Sequence, residues 1–199
     1  MQLRVKDRPA LLVRHEIRAA KTLCVRFGAQ LVVNDYWQLA LEESCDFVHL
    51  GQGDLDTADV PALRRAHVRI GISTHDHAEL DRALALEPDY LALGPIYPTL
   101  LKVMPWSPQG LQRITEWKRR AGSIPLVAIG GLTVERLPGV FGAGADVAAV
   151  VTDIVRHADP EARMREWLST ADGAIAANRA TAADRAAAAH PATEAGRAT

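Results

Sequence analysis

The sequence has little cysteine, few aromatic residues and no excess of either charge. Its 199 residues contain two cysteines, Cys24 and Cys45, without CxxC or paired spacing. That leaves no cysteine-based zinc site and no disulfide framework, and it fits reduced thiols in or near a core. The formal net charge is −1, so nothing global points to nucleic acid or an anionic membrane, and anion binding must come from local arrangement. The four tryptophans, Trp37, Trp106, Trp117 and Trp167, lack the basic interleaving of a nucleic-acid surface. No run approaches the roughly 18 apolar residues of a membrane span. The start has no apolar stretch of the kind a secretory leader carries, so a cytoplasmic protein is expected. A Walker loop and a Ser-His-Asp order are also missing.

What is present is a repeated rhythm. Seven short apolar runs read as strands: MQLR (1–4), QLVVND (30–35), FVHLG (47–51), VRIGIST (68–74), YLALGP (90–95), PLVAIGG (125–131) and VAAVVT (147–152). Most lack strict alternation, as parallel strands buried on both faces do. Helical periodicity fills the gaps. In RPALLVRHEIRAAKTLCVRFG it places Leu12, Ile17, Ala20, Leu23, Cys24 and Phe27 near one face, and Gly28 follows as a C′ glycine. HAELDRALALE and LQRITEWKRRAG behave similarly, whereas Pro138 kinks or interrupts TVERLPGVFGAGA.

Alternating strand and helix imply a parallel sheet with right-handed crossovers, either doubly wound or closed as a barrel. The polar residues decide between them. Every strand end carries chemistry: Arg4 and Lys6, Asn34-Asp35, Gly51-Gln52-Gly53-Asp54, Ser73-Thr74-His75, Gly94-Pro95, Gly130-Gly131 and Thr152. A doubly wound sheet concentrates its site at one switch point, whereas a (β/α)8 TIM barrel builds it from all the C-terminal loops. The expected fold is the α/β barrel, over residues 1–170. From residue 171 to 199 the chain is alanine-rich with little to bury, so transient helix or disorder is expected there.

Three constellations stand out. Asp35 and Asp54 follow adjacent strands and suit a Mg²⁺ site, although an aspartate after a strand also often caps a helix. Gln2, Arg4 and Lys6 share one face of an extended strand, and Arg4, Lys6 and Lys102 form a basic counterpart suited to a diphosphate. Lys102 lies on GPIYPTLLKVMPWSPQG, longer than a tight barrel connection and suited to a binding loop. Gly131, Val151 and Thr152 come at the last two strands, where barrels often hold phosphate on backbone N–H groups. His49, inside a strand, reads as packed rather than as a base. His75 is better placed, on a loop after Ser73-Thr74.

Taken together, QLRVK (2–6), VVND (32–35), HLGQGD (49–54), GISTH (71–75), GPIYPTLLK (94–102), AIGG (128–131) and AVVT (149–152) resemble the thiamine-phosphate synthase family, in order, over about residues 1–170. Gly53 and Leu101 depart from the family's more usual residues, the second removing one hydroxyl from the loop. The resemblance implies a transferase of thiamine biosynthesis that joins hydroxymethylpyrimidine diphosphate to a thiazole phosphate and releases pyrophosphate. It implies that Gln2, Leu3, Arg4, Val5, Lys6, Asn34, Ser73 and Lys102 hold the pyrimidine diphosphate, with Arg4, Lys6, Ser73 and Lys102 catalytic. Asp35 and Asp54 would bind Mg²⁺. Thr99, Leu100, Leu101, Gly131, Val151 and Thr152 would hold the thiazole phosphate. The implied partners are these small molecules, with neither nucleic acid nor membrane.

In the family the QLR…K strand is the second of eight, so the resemblance also leads us to expect a chain lacking its first strand and helix. Two rival readings stand beside the synthase. One is a thiazole tautomerase using His75 as acid–base, and the other is a shortened, non-catalytic phosphate binder.

Overall fold

The computed structural model describes residues 1–99 and 106–189. Seven parallel strands form one curled sheet: β1 (Gln2–Leu3), β2 (Val32–Asn34), β3 (Phe47–Leu50), β4 (Arg69–Thr74), β5 (Tyr90–Leu93), β6 (Leu126–Ile129) and β7 (Val147–Ala149). Their spatial order is their sequence order. A doubly wound sheet reverses direction at its switch point, and this one never does, so the architecture is TIM-like. Among the described residues no ladder joins β7 to β1.

The helices are α1 (Ala10–Arg26), α2 (Trp37–Glu42), α3 (Val60–Arg65), α4 (His77–Leu84), α5 (Gly110–Ala121), α6 (Leu137–Gly142), α7 (Thr152–Val155) and α8 (Pro160–Ala189). No helix among the described residues is long and apolar enough to cross a membrane. The outward residues of the strands, Val48, Leu50, Ile70, Ile72, Leu91, Leu93 and Leu126, are buried with Leu63, Leu80, Ile114 and Trp117 from the helices. Even the polar atoms of this layer are matched. Trp117 Nε1 donates to Thr74 Oγ1 at 2.8 Å, and Thr74 Oγ1 donates to the Ala92 carbonyl at 3.0 Å.

Two helical expectations need correction. On α1 the buried stripe is Val13, Ile17, Ala20 and Cys24, while Leu12 and Leu23 are about half exposed and Phe27 is exposed. Leu12 and Leu23 lie roughly a quarter to a third of a turn around the axis from that stripe, too far to reach the sheet. Phe27 is the C-cap residue, followed by Gly28 at φ +61°, the left-handed conformation expected of a C′ glycine. Pro138 starts a helix rather than kinking one. It occupies the first turn of α6, where its missing N–H has no partner to lose, after a 3₁₀ turn at Val134–Arg136. The alanine-rich stretch enters the structure through α8, where Ala171, Ala174 and Ile175 pack against the core.

At the N-terminal ends of three strands stands the same device, an aspartate one residue ahead of the strand. The Asp46 carboxylate accepts from Arg69 Nη2 at 2.8 Å and Gln30 Nε2 at 2.9 Å. That of Asp89 accepts from the Ile70 N–H and Arg64 Nη1, both at 2.7 Å. Asp146 accepts from the Leu126 N–H at 2.8 Å and Lys118 Nζ at 2.7 Å. Asp89 and Asp146 thus each tie a neighbouring strand to a helix.

Candidate active site

The opposite, C-terminal ends of the strands carry the described candidate residues. β1 is shorter than expected. Gln2 stands within it, and Gln2 Nε2 donates to Asn34 Oδ1 at 2.9 Å across to β2. Leu3 and Val5 pack against the core, while Arg4 and Lys6 are exposed beyond the strand end. The Lys6 ammonium pairs with Asp35 Oδ2. Asp35 itself turns sharply off β2 at φ +65°, a left-handed conformation that aspartate tolerates better than most side chains.

Asp54 opens a 3₁₀ turn after β3, and its carboxylate accepts from the Gly51 N–H at 2.8 Å. Burial pushes the Asp54 carboxyl up. The Gly51 N–H works against that shift, and the facing Asp35 carboxylate adds to it. The two carboxylates thus share the charge of one lysine, Lys6, which pairs with Asp35 and also acts on Asp54. Among the described residues no group of three or more His, Cys, Asp or Glu side chains gathers to hold a metal ion.

Inside the sheet a second network runs across β3, β4 and β5. The strand register places His49 opposite Gly71, and Gly71 opposite Tyr90. Gly71 has no side chain, and the Tyr90 ring fills the vacant space: a Cβ on residue 71 would fall 2.0 Å from Tyr90 Cζ. The gap lets His49 and Tyr90 stack at 5.5 Å, with Nδ1 of His49 2.7 Å from the Tyr90 hydroxyl. The other ring nitrogen, Nε2, lies 2.8 Å from Ser73 Oγ. Burial depresses the His49 pKa to about 4 and raises that of Tyr90, so both are neutral at pH 7. The carbonyl of Ser73 accepts from Gln52 Nε2 at 2.7 Å. His49 is packed, as its strand position implies, but both its nitrogens are engaged.

Sequence reasoning singled out neither Tyr90 nor Gly71. The available signal was parity: His49, Gly71, Ser73 and Tyr90 all face inward once the register is known, and register is not written in any single strand.

His75 follows β4, its Nδ1–H donates to the Glu79 carboxylate at 2.7 Å, and its ring stacks on Trp106 with centroids 4.2 Å apart. On the far side of the rim Gly131 has φ +64°, and a Cβ there would meet the Pro98 carbonyl at 2.4 Å. The connection after β5 therefore crosses directly over the glycine at Tyr97 and Pro98, just before Thr99 in the chain. Val151 is exposed at the end of β7, and Thr152 begins α7. Leu100, Leu101 and Lys102 lie outside the described residues.

Set against known proteins, residues 1–154 match the family described as thiamine monophosphate synthase. The thiamine-phosphate synthase of Rhizobium etli is 59% identical over 169 residues, which cover 85% of this chain and 83% of that protein. The thiamine-phosphate synthase of Klebsiella pneumoniae is 46% identical over 171 residues, covering 86% and 81%. Among solved structures, thiamine phosphate pyrophosphorylase from Pyrococcus furiosus superposes with a TM-score of 0.77 at 24% identity, covering 87% of this chain and 83% of that one, a likeness of fold.

Proposed function

The chain belongs to the thiamine monophosphate synthase family, and from that premise we propose that it condenses hydroxymethylpyrimidine diphosphate with thiazole phosphate to give thiamine phosphate and pyrophosphate. The observation that carries this reading is the opposed Asp35–Asp54 pair, set at one strand-end rim with Lys6, Asn34 and Ser73. Gln2, Arg4, Lys6, Asn34 and Ser73 hold the pyrimidine diphosphate, helped by the backbone at Leu3 and Val5 and by Lys102. Thr99, Gly131, Val151 and Thr152, with Leu100 and Leu101, hold the thiazole phosphate.

The donor set fits Mg²⁺. That ion takes one or two carboxylates and keeps its remaining positions for water and substrate phosphate oxygens, as Asp35 and Asp54 allow. When bound there, it supplies positive charge to the leaving pyrophosphate. The chain's own groups do the rest. Lys6, released from Asp35, and Arg4 neutralise charge that develops on the leaving group as its bond to the pyrimidine methylene breaks. The ring amino group stabilises the resulting cation, and the thiazole nitrogen attacks with its own lone pair, so no general base is required. The neutral, fully engaged His49 is consistent with that economy. Two buried free thiols, Cys24 and Cys45, support work in the reducing cytoplasm.

The test is pyrophosphate release by the full chain. The expected result is release only with both substrates and Mg²⁺ together. Release that survives chelation of divalent metal overturns the metal assignment, and no release under any combination overturns the synthase reading. A tautomerase acting through His75 would turn over the thiazole substrate alone, without metal.

A further inference from the structure

We propose that His49 is a positioning residue whose tautomer, set by Tyr90, turns the Ser73 hydroxyl into a hydrogen-bond donor aimed into the site. The inference rests on the synthase reading for what Ser73 touches, and on the geometry of β3, β4 and β5 for everything else.

A neutral imidazole has one N–H and one bare nitrogen, so the two contacts of His49 have opposite polarity. Nδ1 faces the Tyr90 hydroxyl at 2.7 Å and Nε2 faces Ser73 Oγ at 2.8 Å. A phenol is a good donor and a poor acceptor, whereas a bare imidazole nitrogen is a good acceptor. Tyr90 therefore donates to Nδ1, which leaves the proton on Nε2, and Nε2–H donates to Ser73 Oγ. The serine oxygen then has its own proton free to give away. In the reverse tautomer Nδ1–H would point at the phenol, the phenol proton would lose this acceptor in a buried place, and Ser73 would spend its proton on Nε2. Ser73 would then turn lone pairs toward a diphosphate, which repels them. An unmade buried hydrogen bond on one side and repulsion of the anion on the other favour the same tautomer.

The fold enforces the chain from below. Gly71 separates the two aromatic rings by register and leaves the space that Tyr90 fills. The Ser73 carbonyl is itself held by Gln52 Nε2 at 2.7 Å, so the backbone carrying the hydroxyl is fixed as well.

Two measurements on the full chain test this. In protein labelled with ¹⁵N-histidine, with the His49 signals assigned by their loss in His49→Gln, the expected pattern is a bare Nδ1 and a protonated Nε2. A protonated Nδ1 overturns the proposal, whether or not the chain makes thiamine phosphate. The second measurement is a double-mutant cycle read in kcat for pyrophosphate release. His49→Phe is expected to lower kcat roughly tenfold in the wild-type background and to add nothing after Ser73→Ala. His49→Gln, whose amide N–H reaches the place of Nε2–H, is expected to recover most of that loss. An equal factor in both backgrounds means that His49 does not act through Ser73, and overturns the proposal. Failure of wild-type turnover alone would strike the synthase reading, and the tautomer would still decide the hydrogen-bond chain.

Discussion

The two ends of the sheet use aspartate in opposite ways. At the N-terminal ends Asp46, Asp89 and Asp146 are each met by two donors from the chain, a cation and a backbone or side-chain N–H. At the C-terminal ends Asp35 and Asp54 face each other, and Asp54 is pushed up by burial with Asp35 adding to it. The same side chain meets two chain donors at one end and faces a second carboxylate at the other. The basal carboxylates tie strands to their neighbours; the facing pair at the rim suits a bound cation. TIM-like folds divide labour in this way, with stability at the base and chemistry at the mouth.

The largest expected effect is at the mouth. Asp54→Asn keeps an oxygen for the Gly51 N–H but removes a metal-binding charge, so pyrophosphate release should fall by at least about a hundredfold. Thermal stability should hold or rise, because the opposing charge is gone. A parallel loss of melting temperature and activity would erase the division between the two ends.

Next comes Gly71→Ala, which sits between the ends. The new methyl must displace the Tyr90 ring, at a cost of about 1–3 kcal/mol. Unlike a base mutation, it should also slow turnover of the folded enzyme, because Tyr90 carries the contact to His49.

Asp89→Ala is the counterpart at the base. It takes the carboxylate from the Ile70 N–H and breaks the ion pair to Arg64, which keeps the Leu86 and Glu87 carbonyls, at a cost of about 1–3 kcal/mol, while kcat per folded molecule stays unchanged. Calorimetry and active-site titration together would separate the two quantities, and a fall in kcat would break the comparison.

The smallest effect lies on the outer face, where Glu43 accepts from Arg18 Nε at 2.6 Å and Arg14 Nη1 at 2.7 Å. The hydrogen bond from Arg18, with help from Arg14, lowers the Glu43 carboxyl from 4.5 to about 2. A depressed carboxylate contributes stability that is fully present above the unfolded value and is lost as pH falls toward the folded one. The melting-temperature gap between wild type and Glu43→Gln should therefore be largest above pH 4.5 and should close between pH 4.5 and 2. A gap that does not change with pH would show that the arginines act by packing alone.

Much of this architecture was legible in the chain. All seven apolar runs contain strands, and the spread of polar residues over every strand end pointed to a barrel-like sheet, which the unreversed strand order matches. Helix faces were less legible. Leu12, Leu23 and Phe27 are apolar and close in sequence to the buried stripe of α1, yet they face away from the sheet, because residue type alone does not say which side of a helix is covered. The alanine-rich residues after 170 looked as though they had nothing to bury, but a small side chain such as Ala171 or Ala174 needs only a close neighbour to pack against.

The candidate site divides along the same line. Asp35, Asp54, Lys6 and Ser73 are readable because each stands at the end of an apolar run, where local pattern alone forecasts a loop. The parallel sheet, the order of its strands and the residue types at its rim were set by the sequence itself, since hydrophobic periodicity and turn chemistry act over a few residues. That Gly71 opens a space for Tyr90, that His49 reaches Ser73, and that two carboxylates separated by 19 positions of chain confront each other were decided only by the tertiary structure. Those relations depend on register between strands, and register follows from how the whole sheet packs against its helices.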